Sequence, residues 1–166
     1  LSPSNFVCTY DSNDDVYDIS IIAAGSSEKF TIHITGANGA VIRNLDVKNT
    51  GGSGTIVEIN IVGDDDDLAR VVNVTKDPMS SGEVWIGTMR TTAGIGDGDG
   101  GSITVDRIDS LDTDGDITAT IAVVGASGET ETIGSIVCDD LRGQVVAFSG
   151  DIGSILVGGE ISISVK

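Results

Sequence analysis

The chain has 166 residues, of which 26 are acidic and 9 basic, giving a formal net charge of -17 at pH 7. Hydrophobic residues make up 39% but aromatics only 4%, so a core has to be built from aliphatic side chains in something thin and regular. The length suits one domain. The acidity argues against nucleic acid and anionic lipid surfaces as partners, and no apolar run approaches the roughly 18 residues that span a bilayer.

Leu1 opens directly onto a polar stretch without the pattern of a signal peptide. Four of the aromatics, Phe6, Tyr10, Tyr17 and Phe30, then fall within the first 30 residues. From there the apolar runs are short, β-branched and bounded by Gly, Asn, Asp or Ser: residues 30–34, 41–47, 56–62, 71–74, 84–89, 103–108, 117–124, 136–138, 145–148 and 155–165. No window carries helical periodicity. The pattern predicts an all-β chain of many short strands. Within the run at 41–47 and just after it, Asn44 and Asn49 are placed at bends, where side-chain amides satisfy backbone groups. His33, the single histidine, alternates with Ile32 and Ile34 and is expected to face solvent.

Internal repetition narrows the architecture. Gly82-Glu83-Val84, Gly101-Ser102-Ile103, Gly115-Asp116-Ile117, Gly134-Ser135-Ile136 and Gly153-Ser154-Ile155 share one triplet form, at intervals of 19, 14, 19 and 19 residues. Stacking them aligns Val84, Ile103, Ile117, Ile136 and Ile155, and two residues on Ile86, Val105, Ala119, Cys138 and Val157. Residues i and i+2 of a strand share a face, so both columns are predicted to point inward. The expectation is a parallel β-helix, a solenoid with coils of about 19 residues; a β-sandwich with evenly spaced glycine turns is the alternative. Residues 1–30 are read as an N-terminal cap, because an open first coil exposes both core and strand edge. Residues 31–166 are read as coils that continue beyond the C-terminus in a parent protein, since Ile161, Ile163 and Val165 still alternate with polar residues to the end.

The phrases DIGSILVGGEISISV (151–165) and TIGSIVCDDL (132–141) resemble the right-handed parallel β-helix repeats of large bacterial surface and secreted proteins. The resemblance covers the second half of the chain and identifies a shape. Such proteins serve as adhesins, stalks, phage tail proteins and polysaccharide lyases or hydrolases, which is the range of roles it implies.

The Gly-Asp loops carry the chemistry most worth testing. Asp97 and Asp99 lie in GDGDGG (96–101), and Asp112, Asp114 and Asp116 in DTDGD (112–116). Flexible loops of this kind wrap a hard cation with several oxygens, which suits calcium; solvated corners between coils are the plainer expectation. The Asp64 to Asp67 run is expected to be a solvated loop. Cys138 falls in an inward column and reads as a small buried hydrophobe. Cys8 and Cys138 allow one disulfide, too few for a stapled scaffold. No nucleophile elbow or zinc ligand set is present, and no enzyme is expected. The sequon Asn73-Val74-Thr75 and the Asp-Gly composition fit an exported protein, and high acidity also fits a saline habitat. The expected role is a structural or adhesive segment of an extracellular or cell-surface protein: a rigid acidic rod that requires no cofactor, with calcium the candidate ion for its Gly-Asp loops. Expected partners are a surface polysaccharide, a protein ligand or a second copy meeting it end to end. The alternative is a carbohydrate-active β-helix, as lyase, hydrolase or binding module.

Overall fold

Runs in which Ile, Val and Leu alternate with polar residues bury one face and solvate the other, and they do so here as strands that stack. A computed structural model describes residues 5–64 and 66–162. Its strands are β1 (Asn5–Asp11), β2 (Val16–Ala23), β3 (Glu28–Ile34), β4 (Ala40–Asn49), β5 (Ile56–Gly63), β6 (Leu68–Lys76), β7 (Glu83–Thr91), β8 (Gly94–Ile95), β9 (Ser102–Val105), β10 (Arg107–Thr113), β11 (Asp116–Ile117), β12 (Thr120–Val123), β13 (Glu131–Cys138), β14 (Val145–Ala147) and β15 (Asp151–Val157), with no helix among the described residues. Leu1, Asp65, Ile163 and Val165, on which expectations were placed, lie outside the described residues.

The strands form two sheets. The first has the order β1-β2-β4-β6-β9-β12-β14, with β8 and β11 attached through β6, and the second the order β15-β13-β10-β7-β5-β3. Among the described residues only β1 and β2 pair antiparallel; the other pairs are parallel, each coil lying over the next. The chain is therefore a parallel β-solenoid of about 5 turns, with coils about 25 residues apart. Parallel neighbours also exclude the sandwich alternative.

Aliphatic columns run through the stack. In the first sheet Ile19, Leu45, Val74, Ile103, Ile121 and Val145 lie in register. In the second, Ile32, Ile61, Met89, Leu111, Ile136 and Ile155 do the same. Each fully buried member contributes about 2 kcal/mol by leaving water. Asn49, fully buried, closes a corner of this interior. Its Nδ2 donates to the carbonyls of Thr55 and Glu83 at 3.1 and 2.8 Å, and its Oδ1 accepts from the Gly51 N–H at 3.0 Å. That is the role expected of it from the sequence. Among the described residues no buried side-chain nitrogen or oxygen lacks a partner.

The coil length differs from the 19 residues expected. The Gly-x-Ile triplets mark the entry to a strand after a glycine corner, whichever side of the coil that strand lies on. Gly82 precedes β7 in the second sheet, Gly101 precedes β9 in the first, and Gly115 precedes the short β11. Only Ile136 and Ile155 of the predicted column are true neighbours in the stack. The glycines themselves are required by close approach. At Gly101, which has φ of +132°, a Cβ would meet the Val72 carbonyl oxygen, and at Gly134 it would meet that of Asp109.

The inward prediction nevertheless holds along both columns up to the last described coil, where Ile155 is exposed and Val157 half-buried. Val84, Ile86, Ile103, Val105, Ile117, Ala119, Ile136 and Cys138 are all buried. His33 is exposed, as expected, and its Nε2 lies 2.7 Å from Asp64 Oδ1. Cys8 is exposed and Cys138 buried, and both are free thiols; partial desolvation of its sulfur raises the Cys8 pKa, and burial together with Asp116, Asp140 and Asp139 raises that of Cys138. At the start of the chain β1 covers the edge of β2, with Tyr10 and Tyr17 rings 5.0 Å apart.

Candidate functional site

The outer surface of the first sheet is organised around a bend. In β6 the inward Val71 and Val74 are separated by two residues, Val72 and Asn73. One coil on, the equivalent inward residues are Ile95 and Ile103, and seven residues, Gly96 to Ser102, join them. The GDGDGG segment is thus an insertion at a bend. Gly96 N–H donates to the Val71 carbonyl at 2.9 Å, Asp97 N–H to the Gly100 carbonyl at 2.8 Å, and Gly98 N–H to Thr118 Oγ1 at 3.3 Å. Arg70 braces the loop from beneath, its Nη1 donating to the Gly96 carbonyl at 2.9 Å.

A polar ladder follows the same bend. Asn44 Nδ2 donates to Asp18 Oδ1 at 2.8 Å, Asn73 Nδ2 to Asn44 Oδ1 at 3.1 Å, and Ser102 N–H to Asn73 Oδ1 at 3.0 Å. The sequon asparagine, Asn73, is therefore committed to the scaffold. Arg43 reaches Asp18 and Asp14, and this bond to Arg43 holds the Asp18 carboxyl below the usual carboxylate range.

The loop stands between two open grooves that share Arg70. One, of about 560 Å³, has Val16, Val41 and Val72 in its lining, with Arg43, Asn73 and Asp97 beside them. The other, of about 370 Å³, has Asp99, Asp116, Thr118 and Arg142 in its lining. Asp97 and Asp99 therefore serve different grooves although only Gly98 separates them.

The five aspartates expected to hold calcium are distributed rather than gathered. Asp112 lies on β10 near Arg90, 3.8 Å from its Nε. Asp114 follows β10 and lines a third groove with Asp66 and Arg90. Asp99 and Asp116 share the second groove. Instead of its sequence neighbours, Asp116 has Asp139 and Asp140 beside it, all three offering ligand oxygens within 4.8 Å of one another.

The stacking explains that group. Ile117 pairs with Leu141, so the residues before them, Asp116 and Asp140, lie one above the other. Arg142 offsets the repulsion, with Nη1 3.4 Å from Asp116 and Nη2 2.6 Å from Asp140. The Glu160 N–H and Arg142 together hold the Asp140 carboxyl below its ordinary value. The oxygens are of the kind a hard cation takes, but a cation here competes with a guanidinium already in place. Sequence reasoning missed Asp139 and Asp140, whose link to Asp116 depends on knowing the local coil length.

Trp85 belongs to a different outer column. Lys29, Glu58, Trp85 and Arg107 lie in register across β3, β5, β7 and β10. Arg107 covers the indole at 4.8 Å, and the indole N–H donates to Glu83 at 2.8 Å. Burial pushes the Glu83 carboxyl up, but bonds from the Ser127 N–H and the indole outweigh it and hold the group below its ordinary value.

Comparison with known protein families, curated proteins and solved structures found no match to this chain.

Proposed function

We propose that the chain is a structural or adhesive segment of an exported bacterial surface protein, a stiff acidic rod that carries its recognition surface along its side. The observation that carries this reading is the parallel pairing that runs from β2 to β14 in one sheet and from β3 to β15 in the other, combined with an interior in which every described buried polar side chain is partnered. Strands hydrogen-bonded coil to coil share load along the axis, and the charge of -17 keeps such rods apart and solvated. Its partners in this reading are a surface polysaccharide or protein, and second copies meeting at the ends, where Phe6, Val7 and Tyr10, and at the other end Ile155 and Leu156, are exposed.

Stretching single molecules between their termini tests the structural role. A load-bearing rod releases chain in steps of one coil, about 25 residues, or roughly 85 Å of extended chain. Featureless extension at low force overturns it. The rival reading, a carbohydrate-active enzyme, draws on Asp99 and Asp116 lining one groove, because glycoside hydrolysis needs two carboxylates across a cleft. Depolymerisation of a polysaccharide that Asp116→Asn abolishes would move the assignment to that class.

A further inference from the structure

The two sheets do not begin level. β2 pairs with β4 and β3 with β5, so β2 and β3 belong to one coil. Beyond β2 the first sheet adds β1, whereas beyond β3 the second sheet adds no strand among the described residues. This end of the solenoid is therefore a step, one strand high on one side and one strand short on the other.

The side chains of β1 register the missing neighbour. Phe6, Cys8 and Tyr10 pair with Ile21, Ile19 and Tyr17. Cross-strand partners share a face, so all three point inward with Ile19 and Ile21. Those isoleucines are 3% and 0% exposed, yet Phe6 is 54% and Tyr10 53% exposed, and Cys8 is exposed with them. An inward row lies in water when no opposite strand covers it. The space between is a groove of about 370 Å³ whose lining includes Phe6 and Cys8 from β1 and Ile32 and Ile34 from β3.

An occupant has to be a strand, with an edge to pair with β3 and an apolar face for Phe6 and Cys8. β1 of a second copy meets both needs. Its edge away from β2 pairs with no described strand, its 7 residues match the 7 of β3, and its inward row is Phe6, Cys8 and Tyr10. A half-turn about an axis lying along the strands, between the sheets, sets each β1 beside the other copy's β3. Such a contact is self-complementary, so both steps close at once and no third copy can add.

The opposite end of the chain does not fit the step. β14 and β15 belong to one coil and finish level, so β15 placed beside β3 would set β14 where β1 already lies. Charge points the same way. β1 carries one charged residue, Asp11, and β3 balances Glu28 with Lys29, so this end is close to neutral in a chain of -17. At the far end Glu131 lies beside Asp151, and Asp140 accepts from the Glu160 N–H, which sets acid against acid when two such ends meet.

We propose that two copies of the chain dimerise head to head about a two-fold axis, β1 of each pairing with β3 of the other, with Phe6, Cys8 and Tyr10 of both copies enclosed in a shared coil. The proposal rests on the end-to-end contact in the function proposed above and names the end and the strands that make it.

Sedimentation equilibrium of the whole chain, over a concentration series reaching about 1 mM, tests it. The series should fit a monomer and a dimer and no larger species. Phe6→Lys, which makes the chain less acidic and so does not add repulsion, should weaken the dimer about tenfold or more. Leu156→Lys, on an exposed side chain of β15, should leave it unchanged. Alkylation of Cys8 by a maleimide should slow as concentration rises, with the buried Cys138 slow throughout. A monomer at every concentration overturns the proposal, as do longer oligomers or a dimer that Phe6→Lys leaves intact or Leu156→Lys weakens equally. Cys8 alkylation that concentration does not change also overturns it: fast throughout, the groove stays open; slow throughout, it is filled from within one chain. A protein that bears load coil by coil but stays monomeric loses this proposal and keeps the structural role; one that dimerises and extends without steps does the reverse.

Discussion

Ile136 and Ile155 occupy one column, one coil apart and in direct register. Ile136 is fully buried and Ile155 is 40% exposed. The local sequences, GSIV and GSIL, are nearly the same. In this solenoid burial is conferred by the coil above and the coil below, and a residue with a neighbour on one side only receives part of it. The interior coils and the last described coil therefore differ in energetics while sharing a pattern.

Substitution within the same column sharpens the contrast most. Leu111→Ala, two coils into the stack, should lower stability by about 3 kcal/mol through lost burial and the cavity left behind. Ile155→Ala should cost less than about 1 kcal/mol, because much of its side chain is already in water. Urea unfolding of both variants reads the difference, and equal losses would show that the last coil is covered in solution.

A comparable effect is expected at Asp106, which lies at a corner between the sheets. Its carboxylate accepts from Lys76 Nζ at 2.9 and 2.8 Å and from the Val84 N–H at 2.6 Å, with the side chain only 5% exposed. Asp106→Ala leaves an ammonium and a backbone N–H without their partner and should cost about 3 kcal/mol. A double-mutant cycle with Lys76→Met separates the ion pair from the backbone bond, and additive losses would mean that the pair is not coupled.

The smallest effect comes with acid. The carboxyls of Asp18 and Asp140 titrate below their ordinary value in the folded chain, so what they contribute is present at neutral pH. It is lost as pH falls from the ordinary carboxylate range through their depressed values. Asp18 lies in β2 and Asp140 just before Leu141, towards opposite ends of the stack. Glu83 at the start of β7 titrates low as well, so hydrogen exchange at falling pH should lose protection around β2, the start of β7 and Leu141 before it does around β10. Simultaneous loss everywhere would make the rod one cooperative unit.

Much of this architecture could be read before any coordinates. Alternation of β-branched residues required strands, and the recurring Gly-x-Ile triplet pointed to a solenoid because antiparallel sheets have no cause to repeat it. The triplet misled only on coil length, since a glycine corner looks alike on every side of the coil. The groove stayed hidden for the same reason. Val16, Val41 and Val72 are unremarkable singly and line one groove only once three coils are stacked.

Composition and periodicity by themselves determined that the chain is all-β, that its core is aliphatic and which face of most strands points inward, because those are properties of neighbours one and two residues apart. Tertiary structure alone decided which coil lies over which, and so placed Asp116 against Asp140, Arg70 under the glycine loop and Val72 on an outer face. Those contacts join residues 24 or more apart along the chain, and their register depends on the length of every intervening loop.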